Sequence, residues 1–186
     1  MASQPAGDAA FAARRRLVLA GVGAALGGCA SAPKGVPTVA PLPPEPVTLM
    51  LTLVARADVN PDVRGRPSPI AVRIFELRTT AAFESADFFA LFEREQATLG
   101  SELLLHEQFI LKPGETQTST RSANRDARFL AAVGGYRDLD RSVWRGTVPL
   151  PAPAPAGRAG VPAGRSLPIA IVLSRMALQI EASPGS

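Results

Sequence analysis

Residues 47–77 read VTLMLTLVARADVNPDVRGRPSPIAVRIFEL. In Val47–Ala57, Thr48 and Thr52 alternate with Val47, Leu49, Leu51 and Leu53. A period of two is the mark of a half-buried strand, and it turns Leu49, Leu51 and Leu53 toward a core. Ile70–Leu77 repeats the pattern, with Ile70, Val72 and Ile74 on one face and Arg73 on the other. Between the two runs, Asp58–Pro69 is punctuated by Asn60-Pro61, Arg64-Gly65, Pro67 and Pro69, so it is a loop. The domain therefore begins as strand, loop, strand.

Downstream the period changes once. Over Thr79–Glu95, Phe88, Phe89, Leu91 and Phe92 recur at helical spacing, and Ser85 or Asp87 is placed to cap the N-terminus. This predicts one short helix on a crossover. Glu102–Lys112 reads as an extended, bulged segment, Pro113-Gly114 as a turn, and Glu115–Arg121 as a polar-faced strand. Arg128–Leu139 reads as a buried strand in which Gly134-Gly135 marks a bulge or a close backbone approach. Ser142–Val148 carries Trp144, Pro149–Pro168 is a Pro/Ala/Gly loop, and Ile169–Leu173 with Ala177–Ala182 forms a closing hairpin across Ser174–Met176. Seven or eight short strands with a helical excursion predict an all-β chain folded as a β-sandwich over residues 47–186.

Composition narrows the chemistry. The 186 residues are 46% hydrophobic and 19% charged, a globular balance. With one Cys and one His, neither a zinc centre nor a disulfide framework has enough ligands. His106 lies between Leu105 and Glu107 with no nucleophile or orienting partner marked beside it, and Glu93 and Glu95 are two apart and do not share a helix face. Those two carboxylates are expected to be solvated or paired around Arg94. No Gly-rich phosphate loop occurs in the domain. The sequence is read as non-enzymatic, with no metal and no cofactor.

The N-terminus reads as an address. Arg14–Arg16 precede the apolar run Leu17–Leu26, which is shorter than the roughly 20 residues of a membrane span. The Arg run before Leu17-Val18 also resembles a twin-arginine signal, which leaves Sec or Tat export open. The run ends in Leu26-Gly27-Gly28-Cys29, a lipobox. Its small residues admit the extended chain to a peptidase, and the Cys29 thiol takes the lipid. Residues 1–28 are thus expected to be a signal peptide and Cys29 the lipidated N-terminus. Ala30, rather than Asp, follows the Cys and favours the outer membrane. Residues 30–46 hold six Pro and form a semi-extended tether of about 3.1 Å per residue. Removing residues 1–28 takes away three Arg and one Asp, lowering the net charge from +4 to +2 over 158 residues. So small an excess gives no support for a nucleic-acid partner.

The ordered set of segments resembles a known family. After the lipobox and tether come Asn60-Pro61, Gly65–Pro69, Ile74–Leu77, Ala86–Phe92, Leu99-Gly100, Leu111–Glu115, Tyr136–Leu139 and Trp144-Arg145. This order resembles TssJ (VasD, SciN), the outer-membrane lipoprotein of bacterial type VI secretion systems. The resemblance implies a transthyretin-like sandwich and a structural role in the membrane complex. It also implies a partner, the periplasmic C-terminal domain of the inner-membrane protein TssM. Family contacts are attributed to the first inter-strand loop. Here that loop is Val59, Asn60, Pro61, Asp62, Val63, Arg64, Gly65, Arg66, Pro67 and Ser68. It is short and holds two Arg, while the loop Pro149–Pro168 is longer and richer in Pro and Ala than the family pattern.

Several residues carry two readings. Arg64 and Arg66 are candidates to pair with carboxylates of a partner, because the guanidinium fork binds them bidentately; the plain reading is solvated loop. Asp58, Asn60 and Ser68 are read mainly as turn formers. Phe83, Phe88, Phe89 and Phe92 are read as core that pins the helix to a sheet, and Tyr136 and Trp144 as packing residues. The competing functional reading is a periplasmic carrier lipoprotein with a deep apolar pocket.

Overall fold

The computed structural model describes residues 46–152 and 165–183. The signal peptide, Cys29, the tether and most of the late loop lie outside the described residues.

Eight strands form two four-stranded sheets. They are β1 (Thr48–Ala55), β2 (Ile70–Leu77), β3 (Leu103–Leu111), β4 (Thr116–Ser122), β5 (Phe129–Gly134), β6 (Arg145–Pro149), β7 (Ser166–Leu173) and β8 (Leu178–Ala182). One sheet is ordered β4-β1-β7-β8 and the other β3-β2-β5-β6. The β1–β7 pair is parallel, and the remaining pairs are antiparallel. Between the sheets lie Leu49, Leu51 and Leu53 of β1, Ile70, Val72 and Ile74 of β2, and Ile169, Ile171 and Leu173 of β7, all buried. The period-two reading of residues 47–77 therefore holds on both strands. Pro113-Gly114 makes the expected turn between β3 and β4, closed by the Glu115 amide donating to the Lys112 carbonyl at 3.0 Å.

The helical excursion is three short helices rather than one: α1 (Ala81–Ser85), α2 (Phe88–Glu93) and α3 (Glu95–Leu99). Asp87 starts α2 by accepting the Ala90 amide at 2.8 Å. The helices cover the outer face of the second sheet, where Phe75, Leu77, Ala131 and Val133 form a second core with Phe83, Leu91 and Leu99. Phe88 stacks on Phe92 at 4.9 Å and meets Trp144 edge-on at 5.5 Å. Phe89 alone of the aromatic stripe is 56% exposed. Glu95 does not pair with Arg94. It binds Arg73 of β2 at 2.7 Å and lies 3.7 Å from His106 of β3, so it fastens α3 to the sheet.

Two other boundaries differ from expectation. The strand predicted over Arg128–Leu139 stops at Gly134. There the chain turns against its neighbours: a Cβ on Gly134 would sit 3.0 Å from the Tyr136 ring, and one on Gly135 would sit 3.3 Å from the Ala71 carbonyl. The glycines mark close approach. The last hairpin is longer on its first arm, because β7 starts at Ser166 and runs through Pro168. Strand β8 begins to pair only opposite Leu173 and ends opposite Ile169, beyond which the Pro168 carbonyl accepts the Ser183 amide at 2.9 Å.

Candidate docking site

At one end of the sandwich the β1–β2 loop meets the chain after β5 and the β7–β8 turn. The loop is anchored first by burial: Val59 is fully buried in the inter-sheet core. Next comes Asn60, 3% exposed and at φ +48°, a left-handed conformation that Asn tolerates better than most residues. Its amide donates to the Arg175 carbonyl at 3.2 Å. Its side chain donates to the Pro69 carbonyl at 2.9 Å and accepts the Arg137 amide at 2.8 Å. One buried residue, through its main-chain amide and its carboxamide, thus ties three loops together. Tyr136 adds a second tie, its hydroxyl donating to the Ser174 carbonyl at 3.3 Å. Burial, with a smaller contribution from Asp58, pushes the Tyr136 phenol well above its ordinary value, so it stays protonated and a donor.

Beyond Asn60 the loop tip is braced by Asp62. Its Oδ1 accepts the amides of Arg64 at 2.8 Å and Arg66 at 2.9 Å, and its Oδ2 accepts Arg66 Nε at 2.8 Å. Two backbone bonds of 2.8 Å, Gly65 to Asp62 and Asp62 to Arg66, close the turn. Gly65 supplies the φ of +77° that the turn requires. The Arg66 amide, then its guanidinium, holds the Asp62 carboxyl below its ordinary range. Because the folded value is depressed, the bracing is complete at neutral pH and is lost as pH falls through and below the ordinary carboxylate range. Asp62→Ala is expected to raise amide exchange at Arg64, Gly65 and Arg66 by about tenfold or more at pH 7, with the core amides unchanged. Unchanged exchange at Arg64 and Arg66 would show that the brace is not what orders the tip.

The ten residues of the loop fall into two groups. Val59, Asn60 and Ser68 are buried and hold the loop; Val63, Arg64, Gly65, Arg66 and Pro67 are exposed; Pro61 and Asp62 lie between. Val63 stands at the apex, 104% exposed. Arg66 is occupied by Asp62, whereas the Arg64 side chain makes no hydrogen bond or ion pair among the described residues.

The tip rises beside a cleft of about 350 Å³ reaching from Asn60 and Asp62 to Tyr136, Arg141 and Met176. It continues over Arg137, Asp138 and Asp140. The three loops present Arg56, Arg64, Arg66, Arg137, Arg141 and Arg175 together with Asp58, Asp62, Asp138 and Asp140. No Lys is among them, and interfaces favour Arg over Lys. Sequence reasoning placed Tyr136 in the packing and did not join residues 136–142 or 174–177 to the loop, since nothing in a linear pattern signals that Asn60 reaches both. The clefts are open and lined by charged side chains, unlike the deep apolar pocket of a carrier. Among the described residues no group of three or more His, Cys, Asp and Glu is placed to hold a metal ion.

Residues 47–181 match the model of the type VI secretion lipoprotein family (VasD, EvfM, TssJ). The type VI secretion lipoprotein TssJ1 of Pseudomonas aeruginosa is 34% identical at a TM-score of 0.66, with 76% of this chain and 99% of that chain covered. Lip of Serratia marcescens, a membrane-bound component of the type VI secretion system, is 32% identical at a TM-score of 0.64, with coverage of 73% and 96%. A chain of a structure described as a type VI membrane complex shares the fold at 24% identity and a TM-score of 0.60, with coverage of 74% and 99%. No curated protein sequence matches.

Proposed function

The chain belongs to the type VI secretion lipoprotein family, and on that premise we propose that it is the outer-membrane anchor of a type VI secretion membrane complex, docking the periplasmic C-terminal domain of a TssM-like inner-membrane protein. Residues 1–28 are the export signal, Cys29 carries the lipid, residues 30–46 are the tether and residues 47–186 are the docking domain. The role is structural and needs no catalytic group.

The observation that carries this reading is the braced tip. Five hydrogen bonds centred on Asp62 hold Val63 outward with Arg64 beside it. A single exposed Val is ordinary on a protein surface. A Val held at the apex of a pre-ordered turn, beside an Arg-rimmed cleft, is a contact that loses little entropy on binding. Arg64 supplies a guanidinium for a partner carboxylate, and the Asn60 and Tyr136 ties pass load from the loop into both sheets.

Titration calorimetry of the mature chain against the periplasmic C-terminal domain of the TssM-like protein encoded with it tests the proposal. Val63→Asp is expected to weaken binding at least tenfold, about 1.4 kcal/mol, by burying an unpaired charge at the contact. Arg125→Ala, exposed in the β4–β5 loop at the opposite end of the sandwich, is expected to bind as the unsubstituted chain does. Equal affinity for Val63→Asp would move the contact off the tip, and no binding by the unsubstituted chain would remove the docking role.

A further inference from the structure

Strand β4 is an edge strand with a bare hydrogen-bonding row. The Ala55 amide donates to the Glu115 carbonyl and the Ala123 amide to the Val47 carbonyl, at the two ends of the unbroken β1–β4 register. Alternate residues of an antiparallel pair bond the partner strand. Odd-numbered residues of β4 therefore face β1, and Thr116, Thr118, Thr120 and Ser122 point their amides and carbonyls away from the sheet. No described group meets this row. The other edges are blunted. β8 has five residues and lies beside β6, joined there by the Val143–Ala177 bridge. On β3 the register shifts opposite Glu76/Leu77, and the Ile110 carbonyl already accepts Gln117 Nε2 at 3.2 Å. β4 has no Pro, no Lys and no bulge, and its one charge, Arg121, is turned inward and held by Glu76, which leaves the outward row itself unprotected.

The face that continues from this edge is also uncharged. The twelve outward positions of β4, β1 and β7 hold seven Thr or Ser and five of Met, Val, Ala and Pro, with no ionisable group among them.

We propose that β4 pairs antiparallel with β4 of a second copy of this chain, about a twofold axis at Ser119, joining the two four-stranded sheets into one of eight. The sequence of β4 is self-complementary in that register. Thr118 faces Thr120 and Thr116 faces Ser122, pairs that gain from cross-strand hydroxyl contacts. All four outward residues meet outward residues, so four hydrogen-bonded pairs exchange two bonds each. On the inner face Arg121 meets Gln117, and no like charges oppose. The chain's own tether is a poor occupant of the edge, because its six Pro lack donors. The pairing is independent of which protein the loop end engages.

Thr118→Cys and Thr120→Cys test the register. The full-length chains are co-expressed in pairs, and their membranes are treated with a thiol oxidant and read on non-reducing gels. Residues 118 and 120 of the two copies lie about 5.5 Å apart in a hydrogen-bonded pair, within disulfide range. Residues 118 and 116 would be displaced by about 14 Å along the strand. Thr118→Cys with Thr120→Cys is expected to give at least about tenfold more dimer than Thr118→Cys with Thr116→Cys, because disulfides tolerate so little separation. Each single variant and the unsubstituted chain set the background. Thermal unfolding checks that every variant is folded. Equal yields in the two mixtures, no dimer above background from folded chains, or cross-linking to a different polypeptide would each overturn the proposal.

Discussion

Glu76→Ala is expected to destabilise the domain by about 3–5 kcal/mol, the cost of stripping the partner from a buried charge. Glu76 is fully buried and points from β2 across the space between the sheets. One oxygen takes the Arg121 guanidinium from β4, and the other accepts the Asn124 amide at 2.7 Å. Arg121 has little else. Its Nε lies 3.3 Å from Glu107 Oε2 but is not aligned for a hydrogen bond, and its Nη2 is likewise buried without a partner. Burial pulls the Arg121 guanidinium below its ordinary value, in keeping with the cost of holding that charge there. Removing Glu76 leaves the cation with only the misaligned Glu107 carboxylate beside it. Denaturant midpoints should also show that Glu76→Leu with Arg121→Met recovers most of the loss, since apolar residues of similar volume replace buried pairs at little or no cost. A loss below about 1 kcal/mol in the single variant would mean that water reaches the pair and screens it as at a surface.

Cys29→Ser is expected to move the protein almost wholly from the membrane to the soluble periplasmic fraction, and to stop secretion. Each buried CH₂ of an acyl chain contributes about 0.8 kcal/mol, so one chain holds marginally and two or more hold stably. Serine provides no thiol for the lipid, and all chains are lost together. On the proposed function the docking end would still fold and bind, but load passed to it would reach no membrane. Fractionation with a secretion assay reads both effects. A Cys29→Ser chain that stays in the membrane and supports secretion would remove the anchor from the proposed function.

Glu76 also shows where a linear reading stops. Two positions after Ile74, it falls on the core face by the same alternation that assigned Ile70, Val72 and Ile74. The spacing was a signal, but the compensating Arg121 is 45 residues away on the other sheet. The helical excursion is where expected, but its division into three helices escaped the sequence for a related reason. A stripe at helical spacing predicts one helix, yet Phe83, Leu91 and Leu99 must all reach the one sheet face, and the chain does so in three short pieces. Propensity yields to burial when the surface to be covered is short and flat.

Period-two alternation and turn residues are local patterns, and they determined the strand faces and the all-β class; the lipobox is equally local, and the address proposed for this chain rests on it alone. They reach only as far as hydrogen bonds and side-chain alternation between near neighbours. Which strands pair, which edge is left bare and which loops gather at one end were decided by tertiary structure. Asn60 bonding Arg137 and Arg175 and Glu76 meeting Arg121 depend on closing long segments of chain. Their entropy cost is met only when both sheets bury Leu49–Leu53, Ile70–Ile74 and Ile169–Leu173 against one another.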